Sequence, residues 1–106
     1  MLYVVANRVF VTAEYINEFE QRFKKRAGQI DKQPGFVSME VLKPKSENTP
    51  YVILTHWQNE AAFKNWVGGE DFKLAHQNPM PKEAFLEGGG IEQYEAIIAA
   101  SENIIS

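Results

Sequence analysis

Residues 2–11, L-Y-V-V-A-N-R-V-F-V, are rich in β-branched and aromatic residues, which predicts a β-strand buried on both faces. Successive side chains of a strand point to opposite faces of its sheet. One face carries Tyr3, Val5, Asn7, Val9 and Val11, and the other carries Leu2, Val4, Ala6, Arg8 and Phe10. A sheet that contains this strand therefore needs an apolar layer on each side.

The segment after this strand predicts an amphipathic helix of about five turns. Its apolar residues recur at three- and four-residue spacing: Ile16, Phe19, Phe23, Ala27 and Ile30. Thr12 is expected to cap its first turn, because a hydroxyl there can accept a hydrogen bond from a free backbone N–H group. Pro34-Gly35 punctuates its end.

Strands and one further helix are predicted for the rest of the chain. A strand over 36–43 is followed by a polar turn over 44–50 and a strand over 51–57. A helix capped by Asn59 comes next; it is interrupted at Gly68-Gly69 and resumes over 70–76. A long connection over 77–90 then leads to a strand over 91–99 and a loose tail over 101–106.

The resulting order, β-α-β-β-α-β, is the ferredoxin-like α+β plan, an antiparallel sheet with two helices on one face. We expect one domain over residues 1–106. The helices leave the face with Leu2, Val4, Ala6 and Phe10 uncovered, and an apolar face of this kind needs a partner. We therefore expect a homodimer in which two sheets pack back to back, a dimeric α/β barrel.

Composition narrows the class of protein. The chain has no cysteine, which excludes disulfides and thiolate metal sites. Its net charge of −3 argues against broad nucleic-acid binding. Its apolar runs are shorter than the ~20 residues of a membrane helix, and its first residues lack the basic region and cleavage site of a secretory signal. These features predict a soluble, cytoplasmic protein.

Three residues stand out as candidates for a binding site: Asn7 inside the apolar first strand, and Trp66 and His76, ten positions apart. A neutral imidazole can supply an axial bond to iron. A buried amide offers both a donor and an acceptor, and an indole gives a rigid apolar wall. The set suits a flat ligand that carries a metal.

Each of these residues also has an ordinary structural explanation. Asn7 is as readily a hydrogen-bonded structural amide, and Trp66 a residue of the core. His76 can be a packed or surface histidine. His56, the other histidine of the chain, is the competing iron ligand, although a strand histidine paired across a dimer sheet explains it equally simply. The residues alone leave these explanations open.

Over nearly its whole length the chain resembles the antibiotic-biosynthesis-monooxygenase (ABM) superfamily, and within it the IsdG-type haem-degrading monooxygenases. The residues that carry the resemblance are Asn7-Arg8, Arg22-Phe23, Arg26, Gly28, Pro34-Gly35-Phe36, Trp57, Ala62-Phe63, Trp66, Phe72-Lys73 and Ala75-His76. The combination of Asn7, Trp66 and His76 is the part specific to the haem-degrading branch.

The resemblance implies a role for each residue. His76 would be the proximal ligand of the haem iron, Asn7 would lie on the distal side, and Trp66 would press the porphyrin out of plane. Phe23, Arg22 and Arg26 would contact haem, with Arg22 or Arg26 at its propionates. Haem would be both cofactor and substrate, O2 would open the ring and release iron, and an electron-donating reductase would supply electrons.

Two other functions fit the same residues. One is a cofactor-independent ABM-type monooxygenase of an aromatic or quinol substrate, in which Asn7, Trp66 and His76 orient the substrate and handle protons. The other is a non-catalytic protein, either a haem carrier or a structural dimer with an idle cleft. The sequence leaves the tetrapyrrole product and the physiological reductant open.

Overall fold

The computed structural model describes residues 1–101, and its centre is one four-stranded antiparallel sheet. The strands are β1 (Tyr3–Val11), β2 (Phe36–Leu42), β3 (Tyr51–Trp57) and β4 (Phe85–Glu95). Their spatial order is β2-β3-β1-β4, so β1 pairs with β3 on one side and with β4 on the other. The predicted tail over 101–106 lies, apart from Ser101, outside the described residues.

The helices cover one face of this sheet. They are α1 (Ile16–Ile30), α2 (Glu60–Val67) and α3 (Glu70–Ala75), with short 3-10 turns at Ala13–Tyr15 and Lys82–Ala84. The predicted ferredoxin-like α+β fold is therefore confirmed. Within residues 1–101, no helix is both long enough and apolar enough to cross a bilayer. The cytoplasmic location stays a prediction.

The predicted division of β1 into two faces is confirmed by its register. Val5 and Asn7 lie opposite Thr55 and Ile53 of β3, and this face packs against the helices. Trp57 is the centre of the packing, because none of its side chain is exposed. Its indole N–H donates to the Thr55 hydroxyl over 3.0 Å, which satisfies the polar group that this burial removes from water.

The second face of the sheet carries apolar side chains from β1, β3 and β4. Ala6 lies opposite Leu54 of β3, Val4 opposite Tyr94 of β4, and Phe10 opposite Leu86. At its margins Leu86 is 60% exposed and Tyr94 is 52% exposed. The margins of this face are therefore apolar and exposed, as predicted, whereas Ala6 is only 8% exposed and the face also carries the Arg8–Glu92 ion pair.

The start of the first helix differs from the prediction. Thr12 has extended backbone angles, but its hydroxyl makes no capping hydrogen bond. It donates instead to the carbonyl of Glu83 over 2.8 Å, so Thr12 ties the end of β1 to the 3-10 turn before β4. Asn59 caps α2 as predicted, since its side-chain oxygen accepts from the N–H of Ala62 over 2.9 Å.

The last strand also differs from the prediction, which placed Gly88-Gly89-Gly90 in a loop and the strand over 91–99. In the structure β4 begins at Phe85 and ends at Glu95, so the glycines lie inside it. The pairing passes from Arg8 opposite Gly90 to Phe10 opposite Leu86, which leaves residues 87–89 opposite Val9 alone. The glycines therefore form a β-bulge, a feature that bends and twists a strand.

Two of these glycines are required by the bulge. Gly88 has a φ of +106°, a conformation that side chains disfavour. At Gly89 an added Cβ would lie 2.4 Å from the carbonyl oxygen of Arg8, whereas at Gly90 it would meet nothing within 4 Å. Gly89 and Gly90 therefore offer a test substitution and a matched control.

We expect Gly89→Ala to lower the free energy of unfolding by about 1–3 kcal/mol, because the backbone of β1 must move to admit the methyl group. Gly90→Ala is expected to change it by less than about 0.5 kcal/mol. Urea unfolding of both variants measures the difference. Equal stabilities would show that β4 does not pass β1 at the described distance.

Candidate functional site

A cleft of about 410 Å³ lies between the helices and the sheet. Its walls are mainly apolar side chains, including Ile53, Phe63 and Ile91. A second compartment of about 320 Å³ adjoins it and extends toward Met80 and Phe85. Concave, largely apolar cavities with a few polar groups are typical of sites for small molecules.

The structure brings the predicted site residues together at this cleft. Asn7, Trp66, His76, Phe23 and Arg26 line the main cleft, and Arg22 lines the adjoining compartment. Four of them, Asn7, Phe23, Arg26 and His76, line both cavities. These positions come from β1, α1, α2 and the end of α3, so only the folded chain assembles them.

Asn7 lies in the middle of the sheet, between Ile53 of β3 and Ile91 of β4. It is partly buried, and among residues 1–101 its side-chain amide has no hydrogen-bond partner in the structure. The amide therefore keeps both its N–H donors and its carbonyl acceptor for a group inside the cleft.

Trp66 belongs both to the core and to the cleft wall. Only 8% of it is exposed, and it packs in one cluster with Val5, Trp57 and Ala62. Its ring meets that of Phe72 edge to face, with 5.4 Å between centroids and 85° between planes. A tryptophan held on several sides presents a wall that does not move aside easily for a ligand.

His76 follows the last turn of α3, and that turn orients its ring. Its Nδ1 lies 2.8 Å from the carbonyl oxygen of Phe72, one turn earlier. A carbonyl oxygen only accepts hydrogen bonds, so Nδ1 carries the proton and the lone pair is on Nε2. The ring also stacks on the Phe72 ring, with 4.0 Å between centroids. A histidine fixed in this tautomer is prepared to bind a metal through Nε2.

Phe72 was not predicted to be a site residue, although its carbonyl and ring hold His76. The sequence does contain a signal for this contact, because Phe72 and His76 are four positions apart and residues at this spacing lie on the same face of a helix. Ile91 and Gln93 of β4 also line the cleft. The sequence pattern does not predict their place in the cleft, because their register depends on the glycine bulge.

Two arginines give the cleft a positive edge. Arg26 is partly buried, its guanidinium lies 4.8 Å from the centroid of the Phe23 ring, and burial together with nearby Arg22 lowers its pKa. Arg22 pairs with Glu18 over 3.3 Å and donates to the carbonyl of Asn78. Within residues 1–101 no carboxylate lies within 4.0 Å of Arg26, so its charge is available to an anionic ligand.

His56 lies away from the cleft. It faces the second side of the sheet with Val4, its partner in β1, and its Nδ1 is 3.2 Å from the hydroxyl of Ser38. The described part of the chain also holds no group of three or more His, Cys, Asp or Glu residues able to bind a metal ion. A metal in the cleft would therefore have to arrive with other ligands of its own.

Residues 2–78 match the family described as antibiotic biosynthesis monooxygenase. Among curated relatives, "Heme oxygenase (mycobilin-producing)" of Mycobacterium tuberculosis is 35% identical over 66 residues, which cover 62% of this chain and 63% of that protein. "Heme-degrading monooxygenase" of Shouchella clausii is 31% identical over 94 residues, 87% of each chain.

Solved structures show the same fold. The haem degrader MhuD from Mycobacterium tuberculosis, with two haems bound in its active site, superposes with a TM-score of 0.76 at 27% identity, covering 93% of this chain and 99% of that one. SnoaB, a cofactor-independent oxygenase from Streptomyces nogalater, shares the fold with a TM-score of 0.77 at 22% identity, covering 95% and 98%.

The fold and the match over residues 2–78 define the class: the chain belongs to the antibiotic biosynthesis monooxygenase family. Its similarity to haem-degrading monooxygenases within that family, which the sequence predicted, is confirmed. The match to the Mycobacterium tuberculosis relatives spans slightly under two thirds of their length.

The tautomer of His76 can be tested without any ligand. We expect the neutral imidazole of His76 to carry its proton on Nδ1, because the Phe72 carbonyl accepts it. A long-range ¹⁵N–¹H correlation spectrum in alkaline buffer, assigned with His76→Gln, distinguishes the two tautomers. A proton found on Nε2 would contradict the described geometry.

Proposed function

We propose that this protein is a haem-degrading monooxygenase, which cleaves the porphyrin ring with O2 and electrons from an external donor and releases iron. The observation that carries the proposal is the 2.8 Å distance between Nδ1 of His76 and the carbonyl oxygen of Phe72, which directs the lone pair of a neutral ring to Nε2 at an apolar cleft. The similarity to a haem oxygenase and a haem-degrading monooxygenase supports it.

The residues of the cleft fit haem. The apolar walls suit a flat macrocycle, and the adjoining compartment offers room beyond the main cleft. Arg26 supplies a partly buried positive charge at the cleft edge, which suits a propionate, with Arg22 beside it. The ring of Phe23, under the Arg26 guanidinium, would contact the macrocycle.

Haem, when bound, supplies the iron at which O2 is activated and the porphyrin carbon that is oxidised, so it is substrate as well as cofactor. His76 would bind the iron through Nε2 and set the position of the ring in the cleft. Asn7 would offer its side-chain N–H to a group on the opposite side of the haem. Trp66, held against Phe72 and the core, would restrict the space of the macrocycle and distort it.

Variants of Asn7 and Trp66 distinguish haem binding from haem degradation, since neither residue bonds the iron in this proposal. We expect Asn7→Ala and Trp66→Phe to keep haem affinity nearly unchanged while lowering the degradation rate roughly 10- to 100-fold, as for interactions made mainly along the reaction path. Asn65→Ala, an exposed asparagine on α2, is the control. The measurements are haem titration and the rate of Soret loss with ascorbate present.

The same experiment distinguishes the alternatives. Wild-type protein that binds haem but never degrades it is a haem carrier. Protein that does not bind haem contradicts the proposal, and turnover of a quinol without haem would then identify the cofactor-independent oxygenase. Wild-type rates in both variants would contradict the roles proposed for Asn7 and Trp66.

We also propose that the protein is a homodimer, in which the second faces of two sheets pack together as a dimeric α/β barrel. The support is the apolar surface formed by Phe10, Leu54, Leu86 and Tyr94, which the helices leave exposed at its margins. A soluble protein rarely leaves an apolar face of this kind in contact with water.

The dimer is tested by placing a charge on this face. Leu54→Glu is expected to give a monomer, because the carboxylate would be buried without a partner. Leu74→Glu, on the exposed side of α3, is the control and is expected to remain dimeric. Sedimentation velocity at micromolar concentration measures both. A monomeric wild-type protein would contradict the proposal.

A further inference from the structure

The charges on α1 are distributed unevenly. Acidic residues lie in its N-terminal half, and a run of cations follows: Arg22, Lys24, Lys25 and Arg26, within a chain whose net charge is −3. Basic side chains stabilise a helix through its dipole when they lie in its last turn. The last turn of α1 holds no basic residue, so the dipole does not account for this cluster.

Three of these cations line a groove on the outside of the helix layer. The groove has a volume of about 480 Å³ and lies between α1, α3 and Asn78, with Arg22, Lys25 and Arg26 along it. Its one carboxylate, Glu18, is paired with Arg22. In the part of the chain that the structure describes, no carboxylate lies within 4.0 Å of Lys25 or Arg26.

This basic groove adjoins the cleft. Arg26 and Ala75 line both cavities, so the two are separated by little more than these side chains. Ala75 precedes His76. A protein seated on the groove would therefore lie beside the residue proposed to bind the haem iron.

We propose that the basic groove docks an acidic protein that donates electrons to the haem, with Lys25, which lines the groove and not the cleft, as its main contact and Arg22 and Arg26 at the border with the cleft. The proposal rests on the proposed function and adds the surface and the charge of its partner. Opposite charges on the two proteins speed their encounter and fix their orientation, with little need for apolar contact. In each transfer the donor loses one electron and the ferric iron gains it, becoming ferrous.

A reduced plant-type [2Fe–2S] ferredoxin, which is acidic and gives up one electron, is the probe. The full chain, loaded with haem, is mixed with increasing ferredoxin at low salt. The binding of the two proteins is measured by isothermal titration calorimetry, and the rate of Soret loss is recorded. Lys25→Glu is compared with Lys45→Glu, which makes the same change in net charge on the exposed turn between β2 and β3. Ascorbate, a small reductant that needs no docking surface, drives a parallel series.

We expect Lys25→Glu to raise the ferredoxin concentration for half-maximal rate about tenfold at low salt. The effect should shrink with added salt, since exposed charges are screened. Lys45→Glu and all ascorbate-driven rates should stay near wild type. Gln29→Glu, which adds a carboxylate to the same groove, should act like Lys25→Glu.

Two failures are distinguishable. In the first, the protein degrades haem with ascorbate, but either ferredoxin supports no degradation or it supports equal rates in Lys25→Glu and Lys45→Glu. The proposed docking surface is then wrong and the proposed function stands. If the wild-type protein loses no haem with either donor, the proposed function is wrong and this inference fails with it.

Discussion

Strand β1 is the element on which the rest of the structure depends. It lies inside the sheet and pairs with β3 on one side and β4 on the other, so its backbone groups are satisfied along both edges. Because its side chains alternate, the strand that anchors the core through Val5 also places Asn7 in the cleft. The same alternation gives the second face its apolar surface.

The site combines this rigid strand with the end of a short helix. Trp66 is fixed by the core, whereas His76 is an exposed residue just beyond α3, held by contacts with Phe72. The break at Gly68-Gly69 separates the helix that carries Trp66 from the one that leads to His76. The wall and the proposed iron ligand thus lie on different sides of this break, and Phe72, whose ring contacts both, links them.

Much of the fold could be predicted because it depends on local patterns. Alternation divided β1 into its two faces, the spacing of apolar residues located α1, and Asn59 was the residue type that a helix start favours. The triple glycine was misassigned because composition alone suggests a turn. Its true role depends on the carbonyl of Arg8, some 80 positions away in the chain. Thr12 was misassigned for the same reason, because its hydroxyl bonds to Glu83 rather than to its own helix.

The candidate site was predictable by residue type and position, since Asn7, Trp66 and His76 all reach one cleft. Its chemistry was not, because the free lone pair of His76 follows from the Phe72 carbonyl. The charge of Arg26, which pairs with no carboxylate among residues 1–101, likewise follows from the places of the surrounding carboxylates. Both depend on three-dimensional neighbours. The sequence likewise does not predict that His76 lies at the cleft while His56 lies on the opposite face of the sheet.

The central claim is that His76, and not His56, binds the haem iron. The most direct measurement is a haem titration of His76→Ala and His56→Ala, read by absorption and electron paramagnetic resonance spectra. We expect His76→Ala to bind haem about tenfold or more weakly and with altered iron coordination, and added imidazole to restore the wild-type spectrum. His56→Ala should match the wild type. An altered spectrum in His56→Ala with an unchanged one in His76→Ala would contradict the account.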